Sequence, residues 1–209
     1  MNFMKALFNG SIIEFKKFTK SDLKLSTWKI FEMDIEERYE IVKESTYLKK
    51  LKEQAKVNEI EYDKCESISW LDSQSIMLKV IKGLEKHCCE DLLNDTVIIQ
   101  EFHIPFTKKR ADYLLVFENK ILIVEFSYNK FKHLDYQYQT KLNQVIGYKE
   151  LIGNIVSKDI DIATYTFILR PEEDDEDSNK EEINNFIKYF NFFMKEKNAS
   201  AYKMLEKIN

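Results

Sequence analysis

Residues 109–130 read KRADYLLVFENKILIVEFSYNK: two apolar runs joined by a short polar link, each carrying one acid. Asp112 stands at the start of the first run and Glu125 near the end of the second. A carboxylate inside an apolar sheet is costly unless hydrogen bonds, a proton or a cation compensate it. If Glu118 and Asn119 form a two-residue hairpin turn, Phe117 pairs with Lys120, and further along the same ladder Asp112 stands opposite Glu125. Directly opposed residues share a face, with Cβ atoms about 4.5–5.5 Å apart. A turn shifted by one residue keeps both acids on one face; a three-residue loop separates them. Two acids this close call for a hard divalent ion, Mg²⁺ or Mn²⁺, which takes oxygen ligands and keeps waters. The alternative is that Asp112 ends a strand beside Arg110 while Glu125 reaches solvent at the sheet rim.

Working outward, three β-rich runs occupy 96–104 (TVIIQEFHI), 110–117 (RADYLLVF) and 120–127 (KILIVEFS). A polar helix follows over 134–152, then a fourth strand, ATYTFILR, over 163–170. The first three strands are close enough to form an antiparallel meander, whereas a helical crossover favours parallel pairing of the fourth. The strands are apolar on both sides, which predicts helices on both faces. Upstream, Ile76, Met77, Val80, Ile81 and Leu84 recur at helical spacing. Downstream, Ile183, Phe186, Ile187, Phe190, Phe193 and Met194 make one apolar helix face. Residues 1–60 are expected as a mainly helical extension, with a short strand or turn in SIIEFKKF and a charged helix over 34–55; residues 61–209 form the core.

In the polar helix, Gln137, Lys141, Gln144 and Tyr148 lie on one stripe. Such residues do not make a core face: the stripe is either an ordinary exposed surface or the lining of a cleft.

The chain is 44% hydrophobic and 33% charged, a folded composition, and 209 residues suffice to bury a sizeable core. Four glycines and two prolines are too few for long flexible linkers. No run has the length of a membrane span, and the N-terminal stretch meets charge too early for a secretory signal. Cysteines 65, 88 and 89 are expected as reduced thiols of a cytoplasmic protein, since the adjacent pair lacks the spacing of a zinc site. A net charge of −4 argues against a bulk nucleic-acid coat but leaves room for a local basic path. Lys108, Lys109 and Arg110 before Asp112, and Lys130 and Lys132 after Glu125, are candidates for that path. The acidic run 171–182 is read as a solvated loop.

An acid on one strand, Glu-x-(small or Lys) on the next and Gln-x-x-x-Tyr on a following helix resemble the PD-(D/E)XK nuclease superfamily in its RecB-like form. The segments SW (69–70), EFHIPFTKKRAD (101–112), LIVEFS (122–127) and QVIGYKELI (144–152) are similar to the nuclease-like N-terminal domain of uncharacterised bacterial ATPase/helicase-like proteins. The resemblance implies a restriction-endonuclease-like α/β core: a mixed sheet of a three-strand meander and a fourth strand after a helical crossover, flanked by helices. It implies that Asp112, Glu125 and the Phe126 carbonyl bind the metal, that Gln144 and Tyr148 line the cleft, and that Glu101 is the first-strand acid. It also implies Mg²⁺-dependent cleavage of nucleic acid, DNA first, in phage defence or DNA processing. The chain contains no Gly-rich Lys-Ser/Thr loop, so an ATPase would be a separate partner. Ser127 stands where the superfamily carries lysine. Lys141, on the helical stripe, is the candidate to replace its charge; otherwise the domain binds nucleic acid or a partner without cutting.

Overall fold

The computed structural model describes residues 5–19, 33–88, 90–128, 134–169 and 179–194. The chain is an α/β protein with a five-stranded mixed sheet between helices. The sheet comprises β1 (Phe8–Ser11), β2 (Val97–His103), β3 (Arg110–Phe117), β4 (Lys120–Tyr128) and β5 (Asp161–Leu169), side by side in chain order. The first four pair antiparallel, and β5 joins β4 in parallel after the crossover helix α6 (Leu134–Gly153).

The hairpin has the expected register. Phe117 pairs with Lys120, and the ladder continues to Tyr113 with Val124. Glu118, the first turn residue, takes φ 50°, the left-handed geometry that two-residue hairpin turns need. Leu114 to Val116 and Ile121 to Val124 are at most 1% exposed. Both sheet faces are therefore covered, and this is why the runs are apolar without alternation. On one face Tyr113, Leu115, Leu122 and Val124 pack beneath helices α1 (Ile12–Thr19), α4 (Lys64–His87) and α7 (Lys180–Met194). On the other, Leu114, Val116, Ile121 and Ile123 meet Val145, Tyr148 and Ile152 of α6.

Two expectations near the N-terminus need correction. SIIEFKKF is helix α1 apart from its leading serine, and the strand is the preceding FNGS, which pairs with β2 and adds a fifth strand. The charged segment is two helices, α2 (Ile35–Val42) and α3 (Thr46–Val57), because Ser45 accepts the Leu48 N–H and starts a new helix. Their apolar sides close over Leu7, Ile68 and Trp70. Arg38 and Asp72, each 5% exposed, fasten α2 to α4 through a 2.5 Å ion pair. Helix α5 (Glu90–Asp95) leads into β2. Cys65 is an exposed free thiol, while Cys89, Lys130, Lys132 and residues 171–178 of the acidic run lie outside the described residues; the end of that run, Lys180–Glu182, opens α7 rather than a loop. Among the described residues, no helix is long and apolar enough to cross a membrane.

Candidate functional site

The regular β3–β4 ladder stops at Tyr113 and Val124, and the next pair along is Asp112 and Glu125. There the two side chains enter the backbone hydrogen bonding. The Asp112 N–H donates to Glu125 Oε1 at 2.8 Å, and the Phe126 N–H donates to Asp112 Oδ2 at 2.8 Å. Strand alternation sets both acids on the α6 side, in line with Leu114, Val116, Ile121 and Ile123. Glu125 is 0% exposed, so it does not reach solvent at the rim as the alternative from sequence required, while Asp112 is half-buried.

Helix α6 brings Lys141, Gln144 and Tyr148 of the stripe to this pair, while the Gln137 side chain lies outside what is described. Lys141 Nζ lies 3.2 Å from Glu125 Oε2, and Gln144 Nε2 reaches the same oxygen at 3.3 Å. Gln144 Nε2 also donates to the Tyr148 hydroxyl at 2.6 Å. The spacing of four residues puts Gln144 and Tyr148 one turn apart on the helix, which is why one amide bridges a carboxylate and a phenol.

A third acid joins from β2. Glu101 is buried, takes φ 53° in mid-strand, and accepts a hydrogen bond from Trp70 of α4. Ile99 and Phe102 both pack on the α6 side, so the two-residue alternation breaks across Glu101. A left-handed φ in a non-glycine strand residue is unfavourable and persists only where its surroundings fix it. The fixing groups are Trp70 and Arg110, whose Nε lies 3.6 Å from Glu101 Oε2.

Burial raises the Glu125 pKa to about 8, with the Asp112 charge adding to the effect and Lys141 opposing it. Burial raises Asp112 too, against Lys141 and the Phe126 N–H. Glu101 rises well above its ordinary value through burial and then through Asp112. Burial works against the Lys141 ammonium, but Asp112 and Glu125 outweigh it and raise its pKa. Three neighbouring acids, Glu101 and Glu125 buried and Asp112 half-buried, repel one another, and Lys141 and Arg110 offset that repulsion in part.

The donors at this point are all oxygen, which suits a hard divalent ion and not zinc. Among the described residues, no group of three or more His, Cys, Asp or Glu is disposed to hold one metal ion. A cation here would take Asp112, Glu125, the main-chain carbonyl of Phe126 and water. Ser127, two residues beyond Glu125 on the same strand face, is buried and offers only a hydroxyl.

The basic candidates divide. Lys108 and Lys109 are exposed, and Lys109 Nζ stands 5.9 Å from the centre of the Tyr148 ring. Arg110, grouped with them by sequence, is committed to Glu66, Glu101 and the Glu61 carbonyl, and serves as a brace. Trp70 was visible only as part of a motif; nothing in its own neighbourhood signals a bond to a strand far along the chain. No family model, curated protein or solved structure matches this chain.

Proposed function

We propose that this chain is a Mg²⁺- or Mn²⁺-dependent phosphodiesterase acting on nucleic acid, DNA first, with a restriction-endonuclease-like core of the RecB-like kind. The observation that carries the proposal is the Lys141 ammonium, 3.2 Å from Glu125 in a site whose strand offers Ser127 instead of lysine. Hydrolysis of a phosphodiester needs a positioned water, stabilisation of a highly charged phosphorus centre and assistance to the leaving oxygen. A bound divalent ion supplies Lewis acidity toward the phosphate oxygens and lowers the pKa of water.

The protein's own groups do the remaining work. Asp112 and Glu125 fix the position of positive charge against the scissile phosphate. Lys141, drawn toward the acids, presents a cation to the developing negative charge, the part a serine hydroxyl cannot play. Gln144 orients Glu125 by its amide N–H, and the buried Tyr148 holds Gln144 through its hydroxyl. Lys108 and Lys109 hold flanking phosphates without reading sequence. A separate ATPase partner, and a role in phage defence or DNA processing, belong to the same proposal through the resemblance.

A second function is favoured by different facts: Ser127 is neutral, and both Glu125 oxygens already accept hydrogen bonds. On that basis the chain is a silent nucleic-acid- or partner-binding subunit. Plasmid and linear single-stranded DNA incubated with Mg²⁺, Mn²⁺ or EDTA separate the two. Metal-dependent products from wild type that vanish in Glu125→Ala support the phosphodiesterase. Identical behaviour of the two proteins eliminates it, and a gel shift without product supports the silent subunit.

A further inference from the structure

The loop between β2 and β3 ends in a bare aromatic ring. Phe106 is 95% exposed and takes φ 62°. It follows Pro105 in a turn closed by the Thr107 N–H donating to the Ile104 carbonyl at 3.2 Å. Proline at the first central position and a left-handed φ at the second mark a type II turn, where glycine or asparagine is the ordinary occupant. Phenylalanine there is strained, and at this exposure no burial offsets the strain or the apolar surface shown to water. Folding therefore gains nothing from the side chain.

The loop that carries it is rigid. The Ile104 N–H donates to the Lys109 carbonyl at 3.0 Å, the Thr107 hydroxyl donates to the Ile104 carbonyl at 2.8 Å, and the Lys109 N–H donates to Thr107 Oγ1 at 3.0 Å. Arg110 pins the end of the loop to Glu66. The loop is linked to the acid site through Lys109. Lys109 stands three positions after Phe106, at most about 11 Å along the chain, and its ammonium lies above Tyr148, which is bonded through Gln144 to Glu125.

We infer that Phe106 is a stacking platform for an unpaired nucleobase, so that the site takes single-stranded or frayed nucleic acid in preference to intact duplex. The inference rests on the phosphodiesterase proposal and names its substrate class. An exposed ring in a hydrogen-bonded turn, followed by the exposed Lys108 and Lys109, has the two components of single-strand recognition, a π face for a base and cations for the backbone. In an intact duplex the bases stack on one another and offer no free face, while the lysines serve either form equally.

The test is fluorescence anisotropy with a short labelled oligothymidylate and a labelled duplex, with Ca²⁺ replacing Mg²⁺, on wild type, Phe106→Ala and Phe106→Trp. Phe106→Ala is expected to weaken single-strand binding on the order of tenfold and to leave duplex binding within about twofold, since the lysines are untouched. Phe106→Trp should restore the affinity, and its emission should be quenched by the oligonucleotide beyond the change in wild type. If wild type cuts DNA but Phe106→Ala changes both affinities equally or neither, the stacking role is wrong and the phosphodiesterase stands. If wild type neither binds nor cuts any nucleic acid, both fall. If Phe106→Ala dissolves a homodimer in sedimentation while DNA affinity is unchanged, the ring is a protein contact and the inference is overturned.

Discussion

A carboxyl group that folding moves from water to a fully buried position keeps protons that the unfolded chain has already released. Glu125 is such a group, with its pKa carried from an ordinary 4.5 to about 8 by burial and by Asp112. Between those values the folded state binds more protons than the unfolded one, so unfolding free energy falls as pH rises. Below about pH 4.5 both states are protonated and no penalty exists; above about pH 8 the whole penalty is present. At about 1.4 kcal/mol per tenfold change in proton affinity, that penalty is on the order of 5 kcal/mol, a large share of the ~5–15 kcal/mol that stabilises a typical domain. Urea melts in EDTA at pH 5, 6, 7 and 8 measure it. Wild type should lose at least about 2 kcal/mol across the range, whereas Glu125→Gln, which cannot ionise, should give a much flatter profile. Mg²⁺ should restore stability at pH 8, where it replaces the missing proton, and do little at pH 5. Parallel profiles for the two proteins, with or without Mg²⁺, would refute the reasoning.

Lys141→Ala should lower the cleavage rate at least about tenfold by removing the only ammonium beside Glu125 among the described residues. Adding Ser127→Lys to that variant should return much of the rate in the same plasmid assay, because residue 127 shares the Glu125 strand face; no return would mean that Lys141 acts structurally. Phe106→Gly should raise stability by about 1 kcal/mol in urea melts by relieving the left-handed phenylalanine, and an unchanged or lower midpoint would show that the turn is not strained. Arg38→Leu should cost about 3–5 kcal/mol by leaving Asp72 buried without its cation, with the double variant Arg38→Leu, Asp72→Leu recovering part of the loss.

The hairpin was legible because its constraints are local. The four residues FENK limit the turn, and the turn fixes the register that sets Asp112 beside Glu125. Lys141 could be placed by its spacing from Gln144 and Tyr148, but its distance to Glu125 depends on how α6 lies across the sheet, which no short stretch encodes. The strand FNGS was missed because it has no β-branched residue and contains glycine; its pairing with Val97–Gln100 supplies the order that its own composition does not. The reverse error at IIEF arose because isoleucine and phenylalanine side by side suit a strand as well as a buried helix face. The break at Ser45 was read through as one helix, although a serine that accepts the N–H three residues on is an ordinary helix start. The left-handed Glu101 was not readable, since it depends on Trp70 and Arg110 arriving from distant segments.

The hydrogen bonds that hold the two acids span only thirteen and fourteen residues of chain, whereas Lys141 follows Glu125 by sixteen. During synthesis the hairpin can close in microseconds once both strands have left the ribosome, before the whole of α6 has emerged behind them. The nascent carboxylates thus gain amide partners first and their ammonium later, and they do not wait as bare charges. Over the same interval β4 has no neighbour on its outer side, since β5 is translated only after the crossover helix. An apolar strand open to pairing is a template for aggregation, so the interval between emergence of β4 and emergence of β5 should be the step at which this chain most needs a chaperone.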